Sequence, residues 1–221
     1  MLKIRLPVSA PAGVEQGLLA QGYRLIAGID EVGRGCWAGP VVAAAVILDR
    51  TVLDAPQLLL GVTDSKLLTA HQRAAVVPAI TAHAVAIGLG SVPAWLVDQL
   101  GIVAATRLAM EHAVLSLPCI PDMLLLDALT LPATRQPQLA LIKGDRASIT
   151  IAAASIIAKA ARDRYMLTFD RQYPHRFGQH KGYGTALHRL ALAEHGITSL
   201  HRLSFRPLWD LSTGAPYATN D

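Results

Sequence analysis

Apolar residues fall into short continuous runs and longer helical stretches, and their order predicts the architecture. Residues 23–31 read as a strand that leaves a polar leader and breaks at Gly33 and Gly35. Residues 40–48 form an unbroken apolar run rich in Val and Ala, the pattern of a strand covered on both faces. Residues 49–63 read as a loop. A helix starts near Thr69 and is expected to end or kink at Pro78, because proline lacks the backbone donor and its ring crowds the preceding turn. Residues 83–90 suit a third strand. Residues 92–117 are helical in two pieces that meet near Gly101, with Pro118 closing the second. Residues 123–127 and 139–142 are short strands. The clearest helix covers residues 148–169, which are rich in Ala and Ile and contain neither Gly nor Pro. A further helix covers 185–194 and ends at His195-Gly196 in the manner of a C′ glycine.

Strands first, then strands alternating with helices, predict an α/β fold: a central mixed sheet flanked by helices. The expected division is a leader over residues 1–22, a main domain over 23–175, a helical C-terminal extension over 176–211 and a polar tail over 212–221. No internal repeat or low-complexity linker interrupts it.

Composition narrows the class. The chain of 221 residues is 52% hydrophobic and 16% charged, so it is a folded chain able to bury a full core. Cys36 and Cys119 are far apart and form no CxxC pair, which argues against a zinc site or disulfide framework and fits the cytoplasm. No run of about 18 uncharged apolar residues is present, so a membrane span is not expected. The first residues lack the basic start, apolar run and cleavage site of a signal peptide. A net charge of +4 permits nucleic-acid binding without establishing it. From Arg162 to Arg206, basic residues alternate with Tyr165, Phe169, Tyr173, Phe177, Tyr183 and Phe205. That mixture suits phosphate contact plus stacking, and equally suits an ordinary solvated helical tail.

The candidate chemistry lies where apolar segments end. Asp30 and Glu31 follow residues 25–29, Asp127 follows 124–126, and Asp145 follows 141–144. Charge at the end of a buried strand needs a partner, and one divalent cation serves several carboxylates together. Hard oxygen ligands suit Mg²⁺ or Mn²⁺. A pair of such ions roughly 3.5–4 Å apart can activate water and stabilise the leaving oxygen of a phosphodiester. Each carboxylate is also open to a plainer role as an ion pair or helix N-cap, Asp145 above all because it precedes the 148–169 helix. Adjacent strand residues face opposite ways, so for Asp30 and Glu31 to share a site the pleat must be distorted, and Gly33 and Gly35 make that plausible.

Other candidates fit the same picture. Ser155, Lys159, Arg162 and Asp163 form one polar stripe on an apolar helix, either a site-facing edge or a solvent face. Gly33-Arg34-Gly35 offers amides and a guanidinium to phosphate, or is a simple turn. In the loop His180-Lys181-Gly182-Tyr183-Gly184, a cation and a ring suit stacking on a sugar or base; core packing of the tyrosine is the alternative.

On these residues the sequence resembles ribonuclease HII. Gly28-Ile29-Asp30-Glu31-Val32-Gly33-Arg34-Gly35, Asp64-Ser65-Lys66-Leu67, Lys143-Gly144-Asp145, the Ala152–Lys159 stretch and His180-Lys181-Gly182-Tyr183 occur in the family's order and at similar spacing. The likeness runs from about Ile26 to Pro207. It implies a ribonuclease H-like fold with a helical C-terminal extension. It further implies that Asp30, Glu31, Asp127 and Asp145 bind Mn²⁺ or Mg²⁺ and are catalytic. Gly33, Arg34 and Gly35, with Tyr183, are then expected to read the junction between a ribonucleotide and the next deoxynucleotide, with Lys66, Ser155, Lys159, Arg162, His180 and Lys181 as further substrate contacts. The implied substrates are RNA–DNA hybrids and DNA duplexes with an embedded ribonucleotide, cut on the 5′ side of the ribose. A monomer is expected. The pattern departs from the family at Cys36-Trp37, at Ala128 where glycine often follows the aspartate, and at Arg146 where a small residue is commoner. The related ribonuclease HIII carries an extra N-terminal domain, for which the leader is too short. Two other readings compete: a junction resolvase on the same fold, and a non-catalytic binding module using only the basic C-terminal stretch.

Overall fold

The computed structural model describes Ile4 and residues 6–213; of the tail expected over 212–221, Ser212 and Thr213 belong to a helix and residues 214–221 lie outside the described residues. In chain order the elements are α1 (Gly13–Ala20), β1 (Ile26–Val32), β2 (Val41–Leu48), α2 (Arg50–Asp54), α3 (Ala70–His83), β3 (Ala84–Val92), α4 (Ala94–Leu100) and α5 (Ile102–Leu115). They continue with β4 (Met123–Asp127), β5 (Gln138–Leu141), α6 (Gly144–Ala147), α7 (Ile149–Phe169), α8 (Phe177–His180), α9 (Ala186–His195) and α10 (Leu208–Thr213). The chain divides into two compact units. The first holds the described residues through Val32, Val42–Ser91 and Arg107–Ala160; the second holds Gly33–Val41, Val92–Thr106 and the described residues from Ala161 onward.

The first unit carries a five-stranded mixed sheet in the order β3-β2-β1-β4-β5. β2 is buried at every position, as its Val-Ala-Ile run requires, and pairs antiparallel with β1 from Ala27↔Ile47 to Val32↔Val42. β1 and β4 are parallel, with Ile29 beside Leu126, so Asp30 and Asp127 follow at the carboxyl ends of neighbouring strands. Gly28 allows α7 to lie directly on β1: a Cβ there would sit 2.2 Å from the Thr150 carbonyl carbon. The core gathers Ile26, Ala44, Val46 and Leu125 under Ile151, Ala154 and Ala158 of α7.

Three expectations change in this unit. α3 does not stop at Pro78 but runs on to His83. Its start is fixed by a capping box between Thr69 and Gln72, and Val76 and Ile80, on either side of the proline, are buried. Packing of that face outweighs the one lost backbone bond. The 49–63 segment is not loop throughout, since it forms α2, capped by Asp49, and a 3₁₀ turn over Pro56–Leu59. The leader is not a polar appendage: α1 buries Leu18, Leu19 and the carboxylate-bearing Glu15 in the first unit.

The second unit is interleaved in sequence rather than a consecutive extension from residue 176. Its small apolar core of Ala38, Met166 and Phe177 is supported by two fully buried arginines. Arg162 donates to the carbonyl oxygens of Pro40, Lys181 and Ala38 at 2.9, 2.8 and 3.0 Å. Arg202 donates to Gly39 at 2.8 Å and to Arg34 at 2.9 Å. These bonds explain why residues 33–41 belong with the C-terminal segment. α9 follows expectation, with Thr185 accepting from the His188 N–H at its start and Gly196 at φ 73° after its end.

Candidate active site

In the first unit the structure brings Asp30, Glu31, Asp127 and Asp145 into one electrostatic neighbourhood. Asp30 is 5% exposed, and its Oδ1 accepts from the Glu31 N–H at 2.7 Å. Burial, then the charge of Glu31, raise its pKa well above the ordinary value, with Asp127 adding to the effect and Ser155 opposing it. The β1–β2 ladder stays regular through Val32, so the distortion expected at Asp30-Glu31 is not in the ladder, and the break begins only at Gly33. A regular ladder places the two carboxylates on opposite faces of the strand end.

Asp127 is half-buried and ties the third acidic segment to β4: its Oδ1 accepts from the Gly144 N–H at 2.7 Å. Asp145 follows inside α6, not as a cap of α7. Its pKa is pushed up to about 6, by burial first and then by the charges of Asp64 and Asp127. Asp64, which the sequence reading passed over in favour of Lys66, is therefore part of this neighbourhood. Burial works against its ionisation, but the Lys66 N–H and the Arg146 guanidinium outweigh that and hold it below the ordinary value. Arg146 donates to Asp64 Oδ2 at 2.9 Å, which gives this unusual residue a local purpose. The interaction of the two carboxyls favours ionised Asp64 and makes Asp145 the harder of the pair to ionise. The signal for Asp64 lay in its polar Asp-Ser-Lys setting next to buried Val62, Thr63 and Leu68.

Ser155 is buried and donates to Ser65 Oγ at 2.9 Å, Lys159 is half-buried, and Lys66 is exposed. Ala128, directly after Asp127, has φ 57°, and Lys143, two residues before Asp145, has φ 56°. A side chain in this left-handed region costs roughly 1–2 kcal/mol.

The donor set fits a hard divalent cation: crowded carboxylates, two of them made harder to ionise by burial and mutual repulsion, gain most from a cation that neutralises them together. Among the described residues no group of three or more acidic, His or Cys side chains stands in ready-made ligand geometry. Asp30, Asp64 and Asp127 each spend an oxygen on a backbone N–H, so a cation would have to draw the side chains inward.

The second unit assembles the other predicted group. The Trp37 and Ala38 N–H groups donate to Gly182 O at 2.8 and 3.3 Å, lacing the loop after Gly33-Arg34-Gly35 to the loop of Lys181 and Tyr183. Gly33 has φ 94°, and a Cβ there would meet Arg162 Nε at 2.2 Å. Gly184 is similarly pressed by Trp37, whose ring would lie 2.2 Å from an added Cβ. Tyr183 is 38% exposed, with the Arg162 guanidinium 5.9 Å from its ring centre. Burial, then Cys36, push its hydroxyl up to about 12, so the group stays a neutral donor.

Two predicted substrate contacts lie in the interior of the unit. Arg162 is fully buried with its guanidinium shared among three carbonyls, and it shapes the loop. His180 is buried too: its Nδ1 accepts from the Gly182 N–H and its Nε2 donates to His175 O. With Ser155 also inside, the 155–163 stripe is not a solvent face. The basic stretch as a whole is only partly a surface, since Arg202, His175, His188 and His201 are interior.

The histidines form a directed chain. The Thr198 N–H occupies His201 Nδ1 at 2.9 Å, His201 Nε2 meets His188 Nε2 at 3.1 Å, and His188 Nδ1 meets Tyr183 O at 3.0 Å. Burial, then neighbouring imidazoles, lower His188 to about 4 and His201 to about 3. Both rings are expected to show no titration by NMR from about pH 8 to about pH 5; a midpoint near the ordinary value of about 6.5 would contradict the chain. Their folded values lie below the unfolded one. Their contribution to stability is therefore intact above about pH 6.5 and lost as the pH falls through about 4 and then about 3.

The ribonuclease HII family model matches residues 27–208. A ribonuclease HII of Chloroflexus aurantiacus is 56% identical over 196 residues, covering 88% of this chain and 92% of that protein. The crystal structure of ribonuclease H2 from Pyrococcus horikoshii OT3 superposes with a TM-score of 0.72 at 22% identity, covering 86% of this chain and 98% of that one. Bst-RNase HIII in complex with Mn²⁺ gives a TM-score of 0.69 at 21% identity, covering 89% of this chain and 72% of that one. At such identities the two structures show a shared fold.

Proposed function

Because the chain belongs to the ribonuclease HII family and is therefore a nuclease, we propose that it hydrolyses the phosphodiester on the 5′ side of ribonucleotides, leaving a 3′-hydroxyl and a 5′-phosphate. Its substrates are RNA–DNA hybrids and single ribonucleotides embedded in duplex DNA, and its role is ribonucleotide removal in DNA replication and repair. The observation that carries this reading is the pair of carboxylates at the ends of neighbouring parallel strands, Asp30 and Asp127, joined through Gly144 to Asp145. Asp30, Glu31, Asp127 and Asp145 would hold Mn²⁺ or Mg²⁺, in keeping with the Mn²⁺ complex of the HIII neighbour. When bound, a pair of such ions supplies a nucleophilic water at neutral pH and charge stabilisation on the leaving oxygen.

The chain's own groups do the rest. Asp127 orients the Gly144–Ala147 turn, and Arg146 keeps Asp64 ionised beside Asp145. Tyr183, neutral and partly exposed, is suited to stack on the sugar at the junction, and the backbone of Gly33-Arg34-Gly35 to approach the 2′-hydroxyl that distinguishes RNA from DNA. The protein acts as a monomer in the cytoplasm, a reducing compartment that suits two cysteines far apart in sequence and not joined by a disulfide.

Two measurements test the reading. Replacing the single ribose by deoxyribose in an otherwise identical duplex is expected to remove all cleavage; persistent cutting would identify a resolvase-like nuclease instead. Tyr183→Ala is expected to lower kcat/KM at one embedded ribonucleotide about tenfold or more, the effect of losing about 1–3 kcal/mol of base or sugar stacking, with an unchanged melting temperature. Wild-type kinetics in that variant would remove Tyr183 from junction reading.

A further inference from the structure

We propose that Glu15, in the N-terminal helix α1, is a positioning residue for Asp145; this rests on the reading of Asp145 as a metal-site carboxylate. Glu15 is fully buried although it lies in the segment whose sequence reads as a polar leader. Its Oε1 accepts three hydrogen bonds, from Ser148 Oγ at 2.6 Å, Thr150 Oγ1 at 2.7 Å and the Thr150 N–H at 3.0 Å. Its Oε2 is buried without a hydrogen-bond partner. Burying a carboxyl with one oxygen unsatisfied is costly for a residue that only fills space.

The geometry gives it a task. Ser148 and Thr150 flank the first residue of α7, and Ile149 donates its N–H to Pro11 O at 3.0 Å, so the leader grips this junction twice. Immediately before it, the turn bearing Asp145 is closed by Ser148 N–H donating to Gly144 O at 2.9 Å. The other end of that turn hangs on Asp127, through the Gly144 N–H. Asp145 therefore sits on a short bridge with two piers: Asp127 at the Gly144 end and Glu15 at the Ser148 end. Loss of the second pier leaves Asp145 chemically intact but free to move relative to Asp127.

The test is Mn²⁺ binding by titration calorimetry, at a temperature well below the melting point of every variant, on the full chain. Glu15→Ala is expected to weaken Mn²⁺ affinity about tenfold or more, the usual effect of removing a residue that holds a metal ligand in place. Glu15→Gln keeps the acceptor oxygen and is expected to restore affinity to within about twofold. Ser148→Ala breaks the same link from the other side and leaves α1 unchanged, so it covers the case in which Glu15→Ala fails to fold, and the same weakening is expected. If Glu15→Ala or Ser148→Ala lowers the melting temperature but binds Mn²⁺ as wild type does, Glu15 is only structural and the proposal is overturned. If Asp145→Asn binds Mn²⁺ with wild-type affinity, the assignment of Asp145 fails first and the proposal with it.

Discussion

Asp127→Asn is expected to lower kcat by about 10³-fold or more while leaving the fold and hybrid binding intact. Asparagine is the same size, and its amide oxygen still accepts from the Gly144 N–H, now 2.7 Å from Asp127 Oδ1. What it removes is the charge that a divalent cation would share with Asp30 and Asp145. Stabilisation of the leaving oxygen by such a cation is worth several kcal/mol, and about 4 kcal/mol corresponds to the stated loss. Single-turnover cleavage, with melting temperature and hybrid affinity measured alongside, checks it. A variant that cleaves at the wild-type rate would remove Asp127 from the reaction. One that is inactive because it has unfolded would leave the isosteric argument wrong.

The second large effect is on stability. Arg162→Met keeps the side-chain length and apolar stem but strands the carbonyl oxygens of Pro40 and Ala38 in the interior and leaves that of Lys181 only the weak Cys36 thiol donor. Each buried acceptor left unpaired costs about 1–3 kcal/mol, so a total of about 2–6 kcal/mol is expected for the two, a large share of the about 5–15 kcal/mol that holds a typical domain together. A fall in melting temperature of about 10 °C or more follows for a chain of this size. Arg162→Lys is expected to recover little of it, because one ammonium group lacks the planar fork that reaches three carbonyls. A melting curve within about 2 °C of wild type for the methionine variant would show that the guanidinium is dispensable.

Much of the scaffold was legible because period and punctuation agreed with packing. β2 announced itself by an unbroken apolar run, β4 by its four buried residues before Asp127, and α9 by the polar residue before it and the glycine after it. Pro78 does not end the helix because its cost is local, whereas Val76 and Ile80 are held by the whole core. The leader misled because its apolar residues are few and Glu15 carries a charge. Only the hydroxyls of Ser148 and Thr150, more than a hundred residues away in sequence, make its burial intelligible.

The site divides in the same way. A carboxylate at the end of an apolar strand is visible in sequence, and Asp30, Glu31 and Asp127 were proposed on that basis. Asp64 escaped because no strand precedes it and its meaning depends on Asp145 and Arg146 arriving from elsewhere. Arg162 and His180 were assigned outward because cations and imidazoles favour the surface. Nothing in their spacing disclosed that backbone carbonyls would claim the guanidinium and that the Gly182 N–H would claim the imidazole.

The most direct test of the account is incision of an end-labelled DNA duplex carrying one ribonucleotide, run with Mg²⁺, with Mn²⁺ and with chelator. The account predicts a single cut on the 5′ side of the ribose with either ion and none with chelator. Undiminished cutting in chelator, or no cut with either ion while the duplex is bound, would contradict it.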